Sequence, residues 1–522
     1  MRYVVFFVVT LMFTCPVSSS SLDQLEMVLM EPIPTVGEHE LHSPELVREA
    51  YQANNYTLIW QNSAAIVQLL NEIQNSWQEG LMPTDYRINT LYQLSVQTNN
   101  RTNVEFDLLL TDAVMTFATH LIRGKVNPQS LSQTWNYQLS SVSPKKATAQ
   151  LLHHVKNATI PEGLAQIKPT LPQYQKLKEL LIFFKNRVDT FADIRLQNKV
   201  LKRNQQDPAV PLIRARLADY RLIDPIASED LTYSDDLVVG IKKLQEFSQL
   251  HPDGIIGKDT LNVLNTSPQE RINTIKANLE RIRWVENSLD DEYLIVNIAG
   301  YELYLYRDGK PAWRTNVVVG RQYSKTPVFK AQMHYIVVNP TWTVPRSIAR
   351  GMIPKIQKDS QYLSEKNFMV VDSRRNPIDE NTIDWSQVNR RAFPYWFVQR
   401  PSEANALGQI KFVLPNKYSI YLHDTPAKAL FSREQRAFSH GCVRVENPFQ
   451  LAETILNDNV KWSQAALQEI KDTGETTRVD LNDPLDVFLM YWTVSFNRDG
   501  LHFYPDVYGR DKSLINKLMQ PI

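Results

Sequence analysis

The period of the apolar residues changes near residue 290, and that change limits what this chain can fold into. Upstream they recur every three or four positions. Leu110, Val114, Phe117 and Leu121 form one such row, and Leu177, Leu180, Leu181, Phe184 and Val188 form another. That spacing lines one face of a helix. Downstream, Tyr293–Ala299 and Tyr301–Tyr306 are read as alternating apolar with polar residues, Asp308-Gly309 turns the chain, and Trp313–Val319 returns it. A period of two belongs to half-buried strands and hairpins. At 522 residues the chain exceeds one core, and roughly three or four domains are expected.

The helical part divides again. Gly124 and Pro128 stop the first helix, and Pro172 stands where a helix start tolerates proline. His153-His154 has no Cys, Asp or Glu partner at ligand spacing and reads as a solvated pair. Residues 21–206 are therefore expected to be a helical scaffold without chemistry. Pro208 and Pro211 mark a boundary, followed by two short amphipathic segments, Leu212–Tyr220 and Leu237–Leu250. Pro252-Asp253-Gly254 then turns the chain, and a last short helix runs from about Asp259 to Leu264. This region, 207–267, resembles the three-helix peptidoglycan-binding module of cell-wall enzymes. The resemblance rests on Leu244-Gln245, Phe247, Asp253-Gly254, Gly257 and Thr260-Leu261.

The first twenty residues read as a secretory signal peptide: Met1-Arg2-Tyr3, an apolar run from Val4 to Phe13, then Pro16 and small residues, with cleavage near Ser19 or Ser20. A retained anchor is the minor alternative, because the run is short for a span. Export to the periplasm is the expectation. Cleavage removes Cys15 and leaves Cys442 as the single thiol, which is unusual in an oxidising compartment. Charge is balanced, with 57 basic and 56 acidic residues, and that disfavours a nucleic-acid partner.

A helix from about Pro268 to Trp284 links to the β-rich domain, 268–522. Strand-like segments continue at Met333–Val338, Gln409–Leu414 and Tyr418–His423. A polar interval from Arg346 to Glu403 separates them and reads as a cap or lid. Trp385, Tyr395 and Trp396 within it are read as holding that cap together, with a binding groove as the alternative.

The chemistry gathers in Tyr421-Leu422-His423-Asp424-Thr425 and Ser439-His440-Gly441-Cys442-Val443-Arg444. A thiol becomes a nucleophile when a base takes its proton. Glycine beside it allows a tight turn whose amides can face a reacting carbonyl oxygen. Either His423 or His440 could be the base.

His423 followed nineteen residues later by Cys442, within Ser-His-Gly-Cys-Val-Arg, is similar to the signature of the L,D-transpeptidase (YkuD-type) catalytic domain. Asn339-Pro340-Thr341-Trp342-Thr343-Val344-Pro345 and Asn405-Ala406-Leu407-Gly408 support it. With the other regions, nearly the whole mature chain resembles the large multi-domain L,D-transpeptidases of Gram-negative bacteria. The fold implied is a helical scaffold, a small peptidoglycan-binding module, and a mainly-β catalytic domain carrying an inserted cap. The resemblance implies Cys442 as nucleophile, His423 as base, and amides near Gly441 and Cys442 holding the oxyanion. His440 would shape the site, and Tyr421 and Ser439 would lie close to substrate. Arg444 could bind a substrate carboxylate or brace the loop. The orienting partner of His423 could be a backbone carbonyl or a side chain such as Asp424. The implied reaction is 3→3 cross-linking of peptidoglycan stem peptides, open to acylation by carbapenems and needing neither cofactor nor metal. A cysteine hydrolase of wall peptides and a non-catalytic wall-binding scaffold are the alternatives.

Overall fold

The computed structural model describes residues 21–97, 103–132, 134–139, 141–226, 228–456, 461–497 and 500–522. The expected signal peptide, with Cys15, lies outside the described residues. The chain divides into two compact units. One contains Ser141–Lys168 and the segment ending at Ile122; the other contains Arg123–Ser140 and Pro169–Gln520.

The first unit is helical. In the helix Val104–Arg123, the row predicted from spacing, Leu110, Val114, Phe117 and Leu121, is buried. Asp107 is buried on the same helix, where its carboxylate accepts Tyr51 Oη at 2.6 Å and the N–H groups of Ile59 and Trp60 at 2.9 and 2.8 Å. Three donors answer the cost of burying that group. Asn62 caps the helix Ser63–Gln74 by accepting the Ala64 N–H.

In the second unit, three short helices, Val210–Asp219, Asp235–Phe247 and Lys258–Leu264, enclose a core that includes Ile213, Leu217, Leu237, Ile241, Leu244 and Leu264. Gln245 explains the motif read there. Its amide donates to Asp253 Oδ1, the Ile255 carbonyl and Thr260 Oγ1, and accepts the Gly254 N–H at 2.8 Å. One buried side chain thus ties the turn to two helices. The linking helix Pro268–Arg283 begins with a full capping box from Ser267 and Glu270.

The large sheet is built from β1 (Trp135–Asn136), β2 (Glu292–Asn297), β3 (Glu302–Arg307), β4 (Lys310–Gly320), β5 (Val328–Val338), β6 (Ile410–Val413), β7 (Leu422–His423), β8 (Ala437–Ser439), β9 (Val443–Val445) and β10 (Thr477–Met490). The pairing runs β6-β7-β9-β4-β3-β2-β10-β5, and β6 also pairs with β5, so eight strands close into a ring. Closure leaves those strands without a free edge. β1, from the stretch read as helical scaffold, joins β5 in parallel, and β8 pairs with β4.

Two local differences from the sequence reading have clear causes. Tyr418–Tyr421 is not strand, because Asn416 Oδ1 accepts the N–H groups of Tyr418 and Ile420 and folds a turn ahead of β7. The sequence pattern does not reveal β10, the longest strand among the described residues. It carries Asp480, Asn482, Asp483 and Pro484 and has an irregular register between Asp480 and Leu485, which hides its alternation.

The interval between β5 and β6 is a cap with its own four-stranded sheet, in the order Pro377–Ile378, Phe368–Val371, Trp396–Gln399, Trp342–Thr343. The helix Arg346–Lys358 packs Ala349, Met352, Ile353 and Ile356 into a separate core with Phe393 and Phe397. Trp385 stacks on Phe397, Tyr395 meets Phe393 edge-on, and the Arg346 guanidinium lies 3.9 Å from the Trp396 ring centre. All three aromatic residues have partners inside the cap. Asn405 ties the cap's two ends by donating to the Pro340 and Arg400 carbonyls.

Candidate active site

β7 lies between β6 and β9. Leu422 pairs with Phe412 on one side and Val443 on the other, and all three are fully buried. His423 pairs with Lys411 and with Arg444. Because alternate residues share a face, Lys411, Tyr421, His423, Cys442 and Arg444 come together opposite that buried row. The Tyr421 and His423 ring centres are 5.6 Å apart. Four of these residues were singled out from sequence; Lys411 was missed, and only the pairing of β6 with β7 reveals it.

The nucleophile turn is held from inside. Gly441 has φ +122°, a conformation that a side chain would resist. Its N–H donates to Ser439 Oγ at 3.0 Å, and that hydroxyl donates to the Cys442 carbonyl at 2.6 Å. Ser439 is buried, and its hydroxyl bonds serve the turn rather than an open surface. Thr326 Oγ1 donates to the Gly441 carbonyl at 2.7 Å and accepts the Gly320 N–H. The Arg321 N–H and Ser324 hydroxyl both donate to the Ser439 carbonyl. Thr326, Arg321 and Ser324 carried no motif signal. The Gly441 N–H is engaged within the turn, whereas the next amide, that of Cys442, has no acceptor there.

The half-buried Cys442 thiol donates weakly to the Ser419 carbonyl at 3.7 Å. His423 is buried and its Nδ1 lies 2.5 Å from the Asp424 carbonyl oxygen. A carbonyl only accepts, so Nδ1 carries the hydrogen and Nε2 keeps a lone pair. The backbone of Asp424 therefore orients the imidazole. Its carboxylate instead accepts the Gln409 N–H at 2.9 Å and pairs with Lys428 at 2.5 Å.

Burial, then the Arg444 charge, lowers His423 to about 3, against the upward pull of the Asp424 and Leu407 carbonyls; Lys411 lowers it further. Burial also raises the Cys442 thiol, although hydrogen bonds from Tyr421 and the charges of Lys411 and Arg444 oppose it. The resting pair is neutral. Burial raises Tyr421 as well, and a negative charge on the Cys442 sulfur would raise it further, so it keeps its proton. His440 is exposed on the turn, and its partial desolvation together with the Arg321 and Arg444 charges lowers it.

Gly408 sits against this support. It has φ +62°, and a Cβ there would lie 2.3 Å from Asp424 Oδ2. Gly408→Ala is expected to push that carboxylate off the Gln409 N–H and shift the carbonyl that holds His423. A misplacement worth about 1.4 kcal/mol in the transition state slows acylation about tenfold. Stopped-flow acylation alongside thermal unfolding tests this; an unchanged rate would mean Asp424 does not set the imidazole.

A family model for the L,D-transpeptidase catalytic domain matches residues 291–479, which contain β2 to β9 and the cap. Residues 291–479 are an L,D-transpeptidase catalytic domain. A "Putative peptidoglycan binding domain" matches residues 206–264, and a "Scaffold domain" matches residues 45–181. The chain is 26% identical over 481 residues to a Haemophilus influenzae protein named "Putative L,D-transpeptidase", covering 92% of this chain and 81% of that one. Among solved structures, an L,D-transpeptidase from Stackebrandtia nassauensis aligns over 53% of this chain and 88% of its own, with 13% identity and a TM-score of 0.21. One from Mycobacterium smegmatis aligns over 38% and 58%, with 12% identity and a TM-score of 0.17. Overlaps this low carry no argument. Together the matched domains make the chain an enzyme that acts on peptidoglycan. Support for the L,D-transpeptidase turn extends past the matched residues: Tyr508 Oη donates to the Gly320 carbonyl at 2.5 Å and accepts the Thr326 N–H.

Proposed function

We propose that this enzyme forms 3→3 cross-links between peptidoglycan stem peptides through a thioester on Cys442. The observation that carries the reading is an imidazole whose Nδ1–H is held by a backbone carbonyl, which leaves Nε2 as a base on the sheet face next to the turn that mounts the thiol. Nε2 takes the thiol proton while Sγ attacks the carbonyl between the third-position diamino acid and the terminal D-alanine of a donor tetrapeptide. The oxygen takes up negative charge that the Cys442 N–H can stabilise. The C–N bond then breaks, D-alanine leaves with the proton from His423, and the acyl group stays on sulfur. A side-chain amine of a neighbouring stem attacks the thioester, gives up a proton to His423, and releases the thiol. Tyr421 and Arg444 flank the thiol on that face and are assigned to substrate, Arg444 to a carboxylate. Ser439, Gly441 and His440 are assigned to the shape of the turn.

The periplasm is the proposed location, reached through the N-terminal signal peptide. Among the described residues no helix is long and apolar enough to cross a membrane. Incubating the purified protein with tetrapeptide-rich wall should yield released D-alanine and tetrapeptide–tripeptide dimers in the muropeptide mass spectrum. Trimmed tripeptides without dimers would make it a hydrolase, and an unchanged spectrum would make it a binding scaffold.

A further inference from the structure

Lys411 has no part in the chemistry above, yet its ammonium lies 4.0 Å from the centre of the Tyr421 ring. On β7 it faces His423, and on β5 it faces Val337. Beyond Val337 stands Arg478 of β10, which is paired with Asp480. The other acid nearby, Asp424, is taken by Lys428 and the Gln409 N–H. Among the described residues, no carboxylate or carbonyl pairs with the Lys411 ammonium.

A cation withdrawn from water without an acid partner costs stability, and an apolar side chain of equal length would pack against Tyr421 without that penalty. Such a group is accounted for when a negative charge forms beside it during function. The thiol is where this face generates one. Tyr421, just ahead of β7, Lys411 from β6 and Arg444 from β9 act on Cys442, His423 lies between Lys411 and Arg444 on β7, and Arg321 and His440 stand beside Arg444 at the turn. Among them, the cations lack an acidic counterpart.

We propose that Lys411 acts through space on the nucleophile, as the fixed cation that stabilises the Cys442 thiolate while its proton passes to His423. In that step the S–H bond breaks, the electron pair stays on sulfur, and the proton bonds to Nε2. Lys411 favours the thiolate and disfavours the imidazolium, so it also hastens transfer of the proton onward to the leaving amine. It is a positioning residue for charge, and it rests on the reading of Cys442 as nucleophile. Burial lowers Lys411 itself, and the sulfur charge opposes that shift, which agrees with this coupling.

The test uses the full chain as wild type, Lys411→Met and Lys411→Arg, with Lys411→Gln in reserve should the methionine variant not fold by circular dichroism. Alkylation is followed against pH with neutral iodoacetamide and with anionic iodoacetate. Loss of the cation should move the rising limb up by about one pH unit, which is about tenfold in rate below the midpoint. It should also lower the iodoacetate-to-iodoacetamide ratio, which a purely packing role would leave alone. Lys411→Arg should keep both near wild type. A wild-type profile and ratio in Lys411→Met, or an arginine variant as impaired as the methionine one, overturns the proposal. Wild-type protein that takes no label overturns the nucleophile assignment first, and Lys411's role with it.

Discussion

Cys442→Ser is expected to abolish cross-linking, thiol labelling and covalent capture by a carbapenem together. The strained amide of a carbapenem presents a carbonyl to the same thiol, and the intact mass of wild-type protein should rise by one inhibitor. Serine keeps the size of the side chain, so the bonds from Ser439 and Thr326 that hold the turn are retained. Stability should stay within about 0.5 kcal/mol of wild type. The hydroxyl is a far weaker acid than a thiol, and a neutral imidazole with its basicity lowered to about 3 cannot draw its proton away at rest. Since Cys442 is the thiol expected after the signal peptide is removed, no second site should take label. Undiminished dimer formation by Cys442→Ser would end the nucleophile assignment, and an unshifted wild-type mass would show the thiol to be inaccessible.

His423→Ala is expected to slow acylation by about 10²–10⁴-fold, the usual worth of a positioned general base. The pH dependence follows from the directions of the two shifts. A thiol pushed above its ordinary value is protonated at pH 7, so thiolate alone becomes abundant only above about pH 8.5. At neutral pH the wild-type reaction must pass through His423, which stays unprotonated down to about pH 3. The variant should therefore be slowest relative to wild type near pH 7 and should approach it as the pH rises through the thiol's own titration. No loss is expected on an acidic limb near pH 6.5, where an ordinary histidine would protonate. His440→Ala should keep the neutral-pH reaction, because that ring is exposed on the turn, whereas the Asp424 carbonyl orients His423. If His440→Ala loses that reaction and His423→Ala retains it, the roles are reversed.

The architecture was legible where local rules act alone. Helical rows such as Leu110 to Leu121, the capped start at Pro268 and the alternation of β3 depend on residues close in sequence, and so does the tight turn at Gly441, whereas β2 is buried almost throughout and does not alternate. Motif spacing also singled out Tyr421, His423, Cys442 and Arg444, which share one face in the structure. The same locality hid β10, because its polar first half masks a strand whose apolar second half lies between β2 and β5.

By itself, then, the sequence determined the helical and β-rich divisions, the cap interval and the thiol with its two candidate bases. The tertiary structure decided how those parts are wired. The Asp424 backbone holds His423 while its carboxylate turns to Gln409 and Lys428, and the Gly441 amide is closed by Ser439. Lys411 reaches the site through strand pairing, and Tyr508 braces the turn through Thr326 from 182 residues away in sequence. Each of these depends on which hydrogen-bonding group is nearest in space. Local propensity does not encode that choice, because buried donors and acceptors take whatever partner the closed sheet brings within reach.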